Sequence, residues 1–477
     1  MKNILNKLFG NDTEVFMQGE KALRQFGIRD KIGYLLGDFG NDFTFILSST
    51  FLLKFYTDVM GVDAWIVGLV MTVARFVDAI TDITMGRIVD RFPGGKAGKF
   101  RPWILRMCGP VAIASFLIYQ SAFRDYSLGF KVAWLAITYI LWGSVFYTSI
   151  NIPYGSMASS ISAEAADRQS LSTYRTMGAT LAGLLIGGGI PLLVYRETEN
   201  GAVLDGERFT VAAGLLSILA VVAYIFCYFL TTERVRTEHH EEHRNRDLKT
   251  VLVGILKNRA LLSIIFASIA MLLAQLTMQS MTNYVYPNYY GNSTAITLST
   301  LAMLIAMIIA GAVAKPLVKK YGKAEISVIA NLFAALTLFL LFIIRPQSVW
   351  VYVIFNFFCW FGLGVFSVVS WALITDVIDY SELKNGIRED GSIYAIYSFA
   401  RKLGQAAASG TTGALLTVIG YTEATAFDKG VREGIFNIST LVPAIGLVAL
   451  GLILWFWYPL HKKTVDRNIE LLKEKHS

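Results

Sequence analysis

The chain has 477 residues, 54% of them hydrophobic and only 16% charged, with a mean hydropathy of +0.51. Soluble proteins carry about 25% charged residues, so this composition excludes a globular domain facing water. The net charge of +8 calls for no nucleic acid partner, because the basic residues edge apolar segments and the bilayer is their natural neighbour.

A run of about 20 apolar residues crosses the hydrocarbon core, and twelve such runs follow one another. They are Lys31–Thr57, Ala64–Ile88, Pro102–Phe123, Lys131–Gly155, Ser172–Tyr195, Phe209–Thr231, Ala260–Tyr290, Ala295–Leu317, Ile326–Ile344, Val349–Thr375, Ser392–Tyr421 and Gly434–Pro459. With span-edge residues assigned to the neighbouring loop, one side with both termini holds 30 Lys and Arg and the other side 7. Positive charge stays inside, which predicts a cell-membrane protein with both ends in the cytoplasm. The expected organisation is a cytoplasmic segment 1–30, a six-helix bundle 31–231, a cytoplasmic loop 232–259, a second bundle 260–459 and a tail 460–477. The first thirty residues are polar and mixed, unlike a cleavable signal, so the first span serves as its own insertion signal. Cys108, Cys227 and Cys359 lie in three different spans and read as small buried hydrophobes, without metal or disulfide spacing.

The central loop brings His239, His240 and His243 together. A solvated linker ending in an amphipathic helix, Leu248 to Leu256, is the plain reading; a metal or pH sensor is the sharper one. Gly98-Lys99 after the second span and Gly322-Lys323 after the eighth form a weak repeat, six spans apart, which points to two related halves.

Charges inside the spans carry the functional signal. A charge near the bilayer centre costs about 2.5–3.5 kcal/mol by insertion scales, so it faces a partner or a polar path. Residues three or four apart share a helix face, which aligns Tyr34, Asp38 and Asp42 in the first span. The same spacing aligns Arg75, Asp78 and Asp82 in the second, with Thr81 beside them. Arg75 is a natural counter-ion, yet one Arg cannot neutralise four carboxylates. Excess buried carboxylate binds a cation or takes up a proton. Thr148 and Asn151, one turn apart in the fourth span, add oxygen ligands. Arg175 enters the fifth span behind a polar approach, and Tyr394, Ser398, Lys402 and Gln405 line one stripe of the eleventh. An aromatic face, hydroxyls, a cation and an amide are the chemistry that holds a sugar.

Several blocks then resemble the glycoside–pentoside–hexuronide cation symporters of the major facilitator superfamily. They are Gly37-Asp38-Phe39-Gly40-Asn41-Asp42-Phe43, Tyr56-Thr57-Asp58, Arg75-x-x-Asp78-Ala79-x-x-Asp82, Gly98-Lys99-Phe100-Arg101-Pro102, Asn151-Ile152-Pro153-Tyr154-Gly155, Asp376-x-x-Asp379-Tyr380 and Ser398-Phe399-Ala400-Arg401-Lys402-x-Gly404-Gln405. The resemblance implies an all-α membrane protein of twelve transmembrane helices in two pseudo-symmetric six-helix bundles. It implies a sugar grip at Asp42 and Arg175; helix-face spacing adds Asn151, Tyr34, Tyr394, Ser398 and Gln405 as further expected substrate contacts. It also implies a coupling-cation site at Asp78 and Asp82, where Na⁺ or H⁺ would bind, with Thr81, Thr148 and Lys402 beside it. Arg75 and Asp38 remain as structural charges. Asn151 and Gly155 depart from the pattern of melibiose-carrying members, which have an aspartate and a tryptophan there; Thr81 replaces an asparagine. Melibiose is thus a poor candidate, and the lost carboxylate leans towards H⁺.

The expected function is symport of a sugar or glycoside by alternating access, with no cofactor beyond the co-transported ion, in a monomer. Lysolipid carriage, known in distant relatives of that family, is the alternative; the polar first and eleventh spans favour sugar. An integral membrane enzyme is opposed by the lack of a Ser–His–Asp set, a nucleotide loop or any histidine within a span. Interior aspartates outnumber Arg75, Arg175 and Lys402, so a neutral glycoside is expected over a hexuronide.

Overall fold

Hydrocarbon offers no partner to a backbone N–H or C=O, so apolar segments of this length satisfy themselves as helices. The computed structural model describes residues 24–95, 97–235, 258–385 and 390–476. The histidine cluster at 239–243 and the expected helix from Leu248 to Leu256 lie outside the described residues. The first helices are α1 (Ile28–Asp58), α2 (Ala64–Arg91), α3 (Arg101–Ile118), α4 (Leu128–Ile161) and α5 (Ala166–Val194). A short antiparallel hairpin, β1 (Tyr195–Thr198) and β2 (Gly201–Leu204), leads into α6 (Gly206–Leu230). Then come α7 (Arg259–Tyr289), α8 (Thr294–Tyr321), α9 (Lys323–Ile344), α10 (Val349–Asn385), α11 (Asp390–Val418), α12 (Lys429–Trp457) and the terminal α13 (Lys462–His476).

Among the described residues nine helices, α3 to α10 and α12, are long and apolar enough to cross a membrane. The helices α1, α2 and α11 match them in length, at 31, 28 and 29 residues, but carry the interior charges. Packing explains how these three are tolerated. In the first bundle α1 lies against α5 and α6; in the second α7 lies against α11 and α12. The bundles meet along α2–α11, α1–α7 and α5–α8, so the polar helices line the seam. Close approach there depends on small residues: a Cβ on Gly413 of α11 would collide with the Ala64 carbonyl of α2.

The two ends of the seam differ. At the hairpin end Tyr195 Oη of β1 donates to the Asn283 carbonyl of α7 at 3.3 Å. Every hydrogen bond described between the bundles lies between this end and the level of Asp82 and Lys402. The opposite, basic end shows the geometric counterpart of the sequence repeat. Gly98 and Gly322 take left-handed φ of +103° and +105°, beside Glu233 and Glu325 respectively. Glu233 accepts from the backbone N–H of Lys99, Phe100 and Arg101 at 2.8, 2.9 and 2.8 Å, and Glu325 accepts from that of Lys462 at 2.9 Å.

Candidate functional site: two carboxylate pairs on the bundle seam

Helical periodicity puts Asp78 and Asp82 on one face of α2, one turn apart, with Arg75 a turn earlier. Arg75 Nη1 donates to Asp78 Oδ2 at 3.0 Å, and Nη2 to Tyr139 Oη of α4 at 3.2 Å. A widened π-helical turn at Leu141–Tyr147 shifts the register of α4 just before Thr148, a distortion common at functional sites. Two hydroxyls thereby reach α2: Ser144 Oγ donates to Asp78 Oδ1, and Thr148 Oγ1 to Asp82 Oδ1 at 2.9 Å. From the second bundle, Lys402 of α11 pairs with Asp82 and donates to the Asp78 carbonyl at 3.1 Å. Each carboxylate thus holds one cation and one hydroxyl. The Arg75–Asp78 pair is enclosed; the side chains of Lys402 and Asp82 remain 25% and 28% exposed, so solute can reach the second pair.

The carboxylates of α1 divide differently. Arg175 of α5 pairs through Nε with Asp38 Oδ1 at 2.9 Å, its guanidinium 5.5 Å from the Tyr154 ring and its side chain 44% exposed. That contact leaves the two terminal nitrogens of Arg175 outside the ion pair. Asp42 is half-buried one turn along and has no hydrogen bond or ion pair among the described residues. A donor fork and an acceptor carboxylate on neighbouring helices suit a polyhydroxylated ligand.

Other expected contacts are placed elsewhere. Tyr34 is buried: its ring stacks on Tyr154 at 4.6 Å, and each hydroxyl bonds the other residue's carbonyl. In this structure it is a strut between α1 and α4, buried against Tyr154 with its hydroxyl engaged. Thr81 Oγ1 donates back to the Val77 and Asp78 carbonyls at 3.1 and 3.2 Å, without a described bond to either carboxylate. Asn151 and Ser398 are half-buried with no described side-chain partner, and the side chain of Tyr394 lies outside the described residues. Gln405 lines a cavity of about 30 Å³ with Ser49, Arg75, Ser280, Ser409 and Thr412. That is room for a water or two, not for a sugar. Arg401 stacks over Trp371 and Tyr397 at 5.6 and 6.0 Å, away from the acids of α2. Sequence reasoning missed Ser144 and Tyr139; Ser144 stands four residues before Thr148, the spacing that aligns Asp78 with Asp82, and that spacing could have found it.

Comparison with known proteins decides the family: a model of MFS/sugar transport proteins matches residues 33–462. The chain belongs to the MFS/sugar transport family. Within it, the chain is 30% identical to the glucuronide carrier protein homolog of Escherichia coli K12 over 456 residues, covering 95% of this chain and 97% of that one. It is also 30% identical over 459 residues to a putative sulfoquinovose importer of Salmonella typhimurium LT2, covering 94% of each. An uncharacterized symporter of Bacillus subtilis 168 is 29% identical, over 99% of this chain and 98% of its own length. The fold matches a crystal structure of a D-xylose–proton symporter with TM-score 0.60 at 15% identity, covering 90% of this chain and 97% of that one. It also matches a bacterial homologue of the lysosomal transporter Spinster with TM-score 0.63 at 10% identity, covering 92% and 97%. The family member described here is a multi-pass membrane transport protein for sugar-like substrates, with the facilitator fold.

Proposed function

We propose that this family member is a symporter that couples entry of a monovalent cation, H⁺ or Na⁺, to uptake of a sugar or glycoside. The observation that carries this reading is Lys402 lying on Asp82 beside Thr148. A cation bound by Asp78, Asp82 and Thr148 must compete with that ammonium, and Lys402 belongs to the other bundle. Cation binding therefore releases a tie and frees the bundles to move, while a sugar held by Asp42 and Arg175 of the first bundle and met by α11 of the second favours their closure around it. Such coupling is reciprocal, typically 5–150-fold in affinity. On this reading the basic end faces the cytoplasm, as the excess of Lys and Arg there favours, and all twelve long helices span. The missing third carboxylate at Asn151 leans towards H⁺.

The substrate is read as neutral, since Arg75, Arg175 and Lys402 each already meet an aspartate while Asp42 meets no described cation. One observation favours a second reading, an acidic sugar: the terminal nitrogens of Arg175 are outside its ion pair, and two relatives are named for glucuronide and sulfoquinovose. Uptake of a labelled glycoside panel into vesicles, at fixed pH with and without Na⁺, tests the whole. Accumulation driven by one cation gradient is expected; a panel that equilibrates without any dependence on either gradient would refute coupling. Better displacement by a glucuronide than by the matching glucoside would select the acidic reading.

A further inference from the structure

A buried lysine at the hairpin end plays no part in the site above. Lys54 of α1 is 1% exposed, and its three N–H donors are all taken. Asp58 Oδ2, one turn along the same helix, lies at 2.6 Å; Asn288 Oδ1 of α7 and Tyr421 Oη beyond α11 each lie at 2.7 Å. Tyr421 Oη in turn donates to Asp58 Oδ1 at 2.8 Å, which closes a ring of three groups. The ammonium also sits 4.5 and 5.2 Å from the centres of the Tyr284 and Tyr421 rings. The widened turn of α7 at Val285–Tyr289, which contains Pro287, is what presents Asn288. Nearby, Asn283 Nδ2 donates to the Thr50 carbonyl at 2.7 Å, and Thr417 Oγ1 to Asp63 Oδ1 at 2.6 Å. The small cavity lined by Ser49, Leu53, Ser280 and Ser409 lies on the same seam.

From this arrangement we infer that Lys54 is a reversible latch between the bundles, with Asn288 and Tyr421 as its catch, and that the cavity beside it is the collapsed hairpin-side half of the transport path. A lysine needed only to fold the first bundle would be satisfied by Asp58 alone, yet two of its three acceptors come from the second. The chemistry suits repeated opening. Removing a charge pair from water costs about as much as the pair regains by its mutual attraction. When the bundles part, Lys54 and Asp58 travel together and rehydrate, while Asn288 and Tyr421 find water instead. An apolar seal would have no such compensation.

The test needs neither substrate nor orientation, so it stands apart from the symport reading. In protein lacking Cys108, Cys227 and Cys359 and held in nanodiscs, Ser409→Cys reports the cavity. Ser159→Cys, at an exposed position near the basic end of α4, reports the opposite side. Tyr421→Phe and Asn288→Ala each remove one acceptor and keep the ion pair. Each is expected to raise labelling of Ser409→Cys by a water-soluble thiol reagent roughly 5- to 10-fold, the worth of one buried hydrogen bond, and to lower labelling of Ser159→Cys. Unchanged labelling at Ser409→Cys in both variants overturns the latch. So does a rise at both reporters, which would mean general loosening. Lys54→Met is expected to go further, but strands Asp58, so the two acceptor variants decide.

Discussion

At the level of the candidate site the first bundle turns six ionisable side chains towards its interior, Asp38, Asp42, Arg75, Asp78, Asp82 and Arg175. The second answers across the seam with Lys402 and with neutral groups such as Ser280, Gln405, Ser409 and Thr412. Two halves with matching glycine turns at Gly98 and Gly322 have thus diverged in the chemistry of their inner faces. Fixed carboxylates on one side and a single cation on the other make an exchangeable pair, whereas a symmetric distribution would lock each half upon itself. The Arg75–Asp78 pair, closed within one bundle, is of the locked kind; Lys402–Asp82 is of the exchangeable kind.

The largest expected break in that contrast comes from Asp82→Asn, which strands Lys402, and from Asp78→Asn, which strands Arg75. Breaking a buried pair from one side costs about 3–5 kcal/mol, which applies to the enclosed Arg75–Asp78; the more open Lys402–Asp82 loses less. Both are expected to abolish accumulation against a gradient in vesicles while the protein still reaches the membrane. Wild-type accumulation in either one would remove that carboxylate from the cation site. A smaller effect is expected on the α1–α5 side. Asp42→Ala and Arg175→Ala each remove a charged hydrogen-bond partner worth about 1.5–3 kcal/mol, so sugar affinity should fall roughly 10- to 100-fold. An unchanged binding isotherm for purified Asp42→Ala would return that role to other groups. The change with the least expected effect on transport sharpens the likeness instead: Gly98→Ala and Gly322→Ala both force a positive φ, at about 1–3 kcal/mol, and press a Cβ against Glu233 and Glu325 respectively. Similar falls in Tm are expected from the two; a fall in one alone would show the turns to be unequal.

Much of this was legible because a membrane writes long signals. Twenty-residue apolar runs survive errors of a few residues at each end, and α2, for example, runs only three residues past its expected Ile88. Charged residues within such runs stood out for the same reason. Their partners did not. Asp38 and Asp42 share a face by spacing alone, and only the position of α5 decides that Arg175 meets Asp38. Tyr34 stays ambiguous in the sequence, because a polar ring on a charged stripe serves equally as ligand or strut. Ser144 was open to the same spacing rule, four residues before Thr148, but a lone serine in an apolar run draws no notice. The hairpin Tyr195–Thr198 and Gly201–Leu204 went unforeseen, being too short for its alternation to register. Lys54 and Asp58 were readable as a pair four residues apart, but their catch at Asn288 and Tyr421 was not.

The tie between Asp82 and Lys402 also has a history within each molecule's lifetime. The two residues are 320 positions apart, and ribosomes add about 5–20 residues per second. For roughly 16–64 s of synthesis, therefore, Asp82 is in place before its counter-charge exists. During that interval its carboxyl has the Thr148 hydroxyl, a proton or water for company, but no cation from α11. A chain cut short before α11 would never leave that condition. The bond that ties the halves in the finished transporter is thus a completion mark, and a nascent chain without it presents the cell with an unneutralised acid in its membrane.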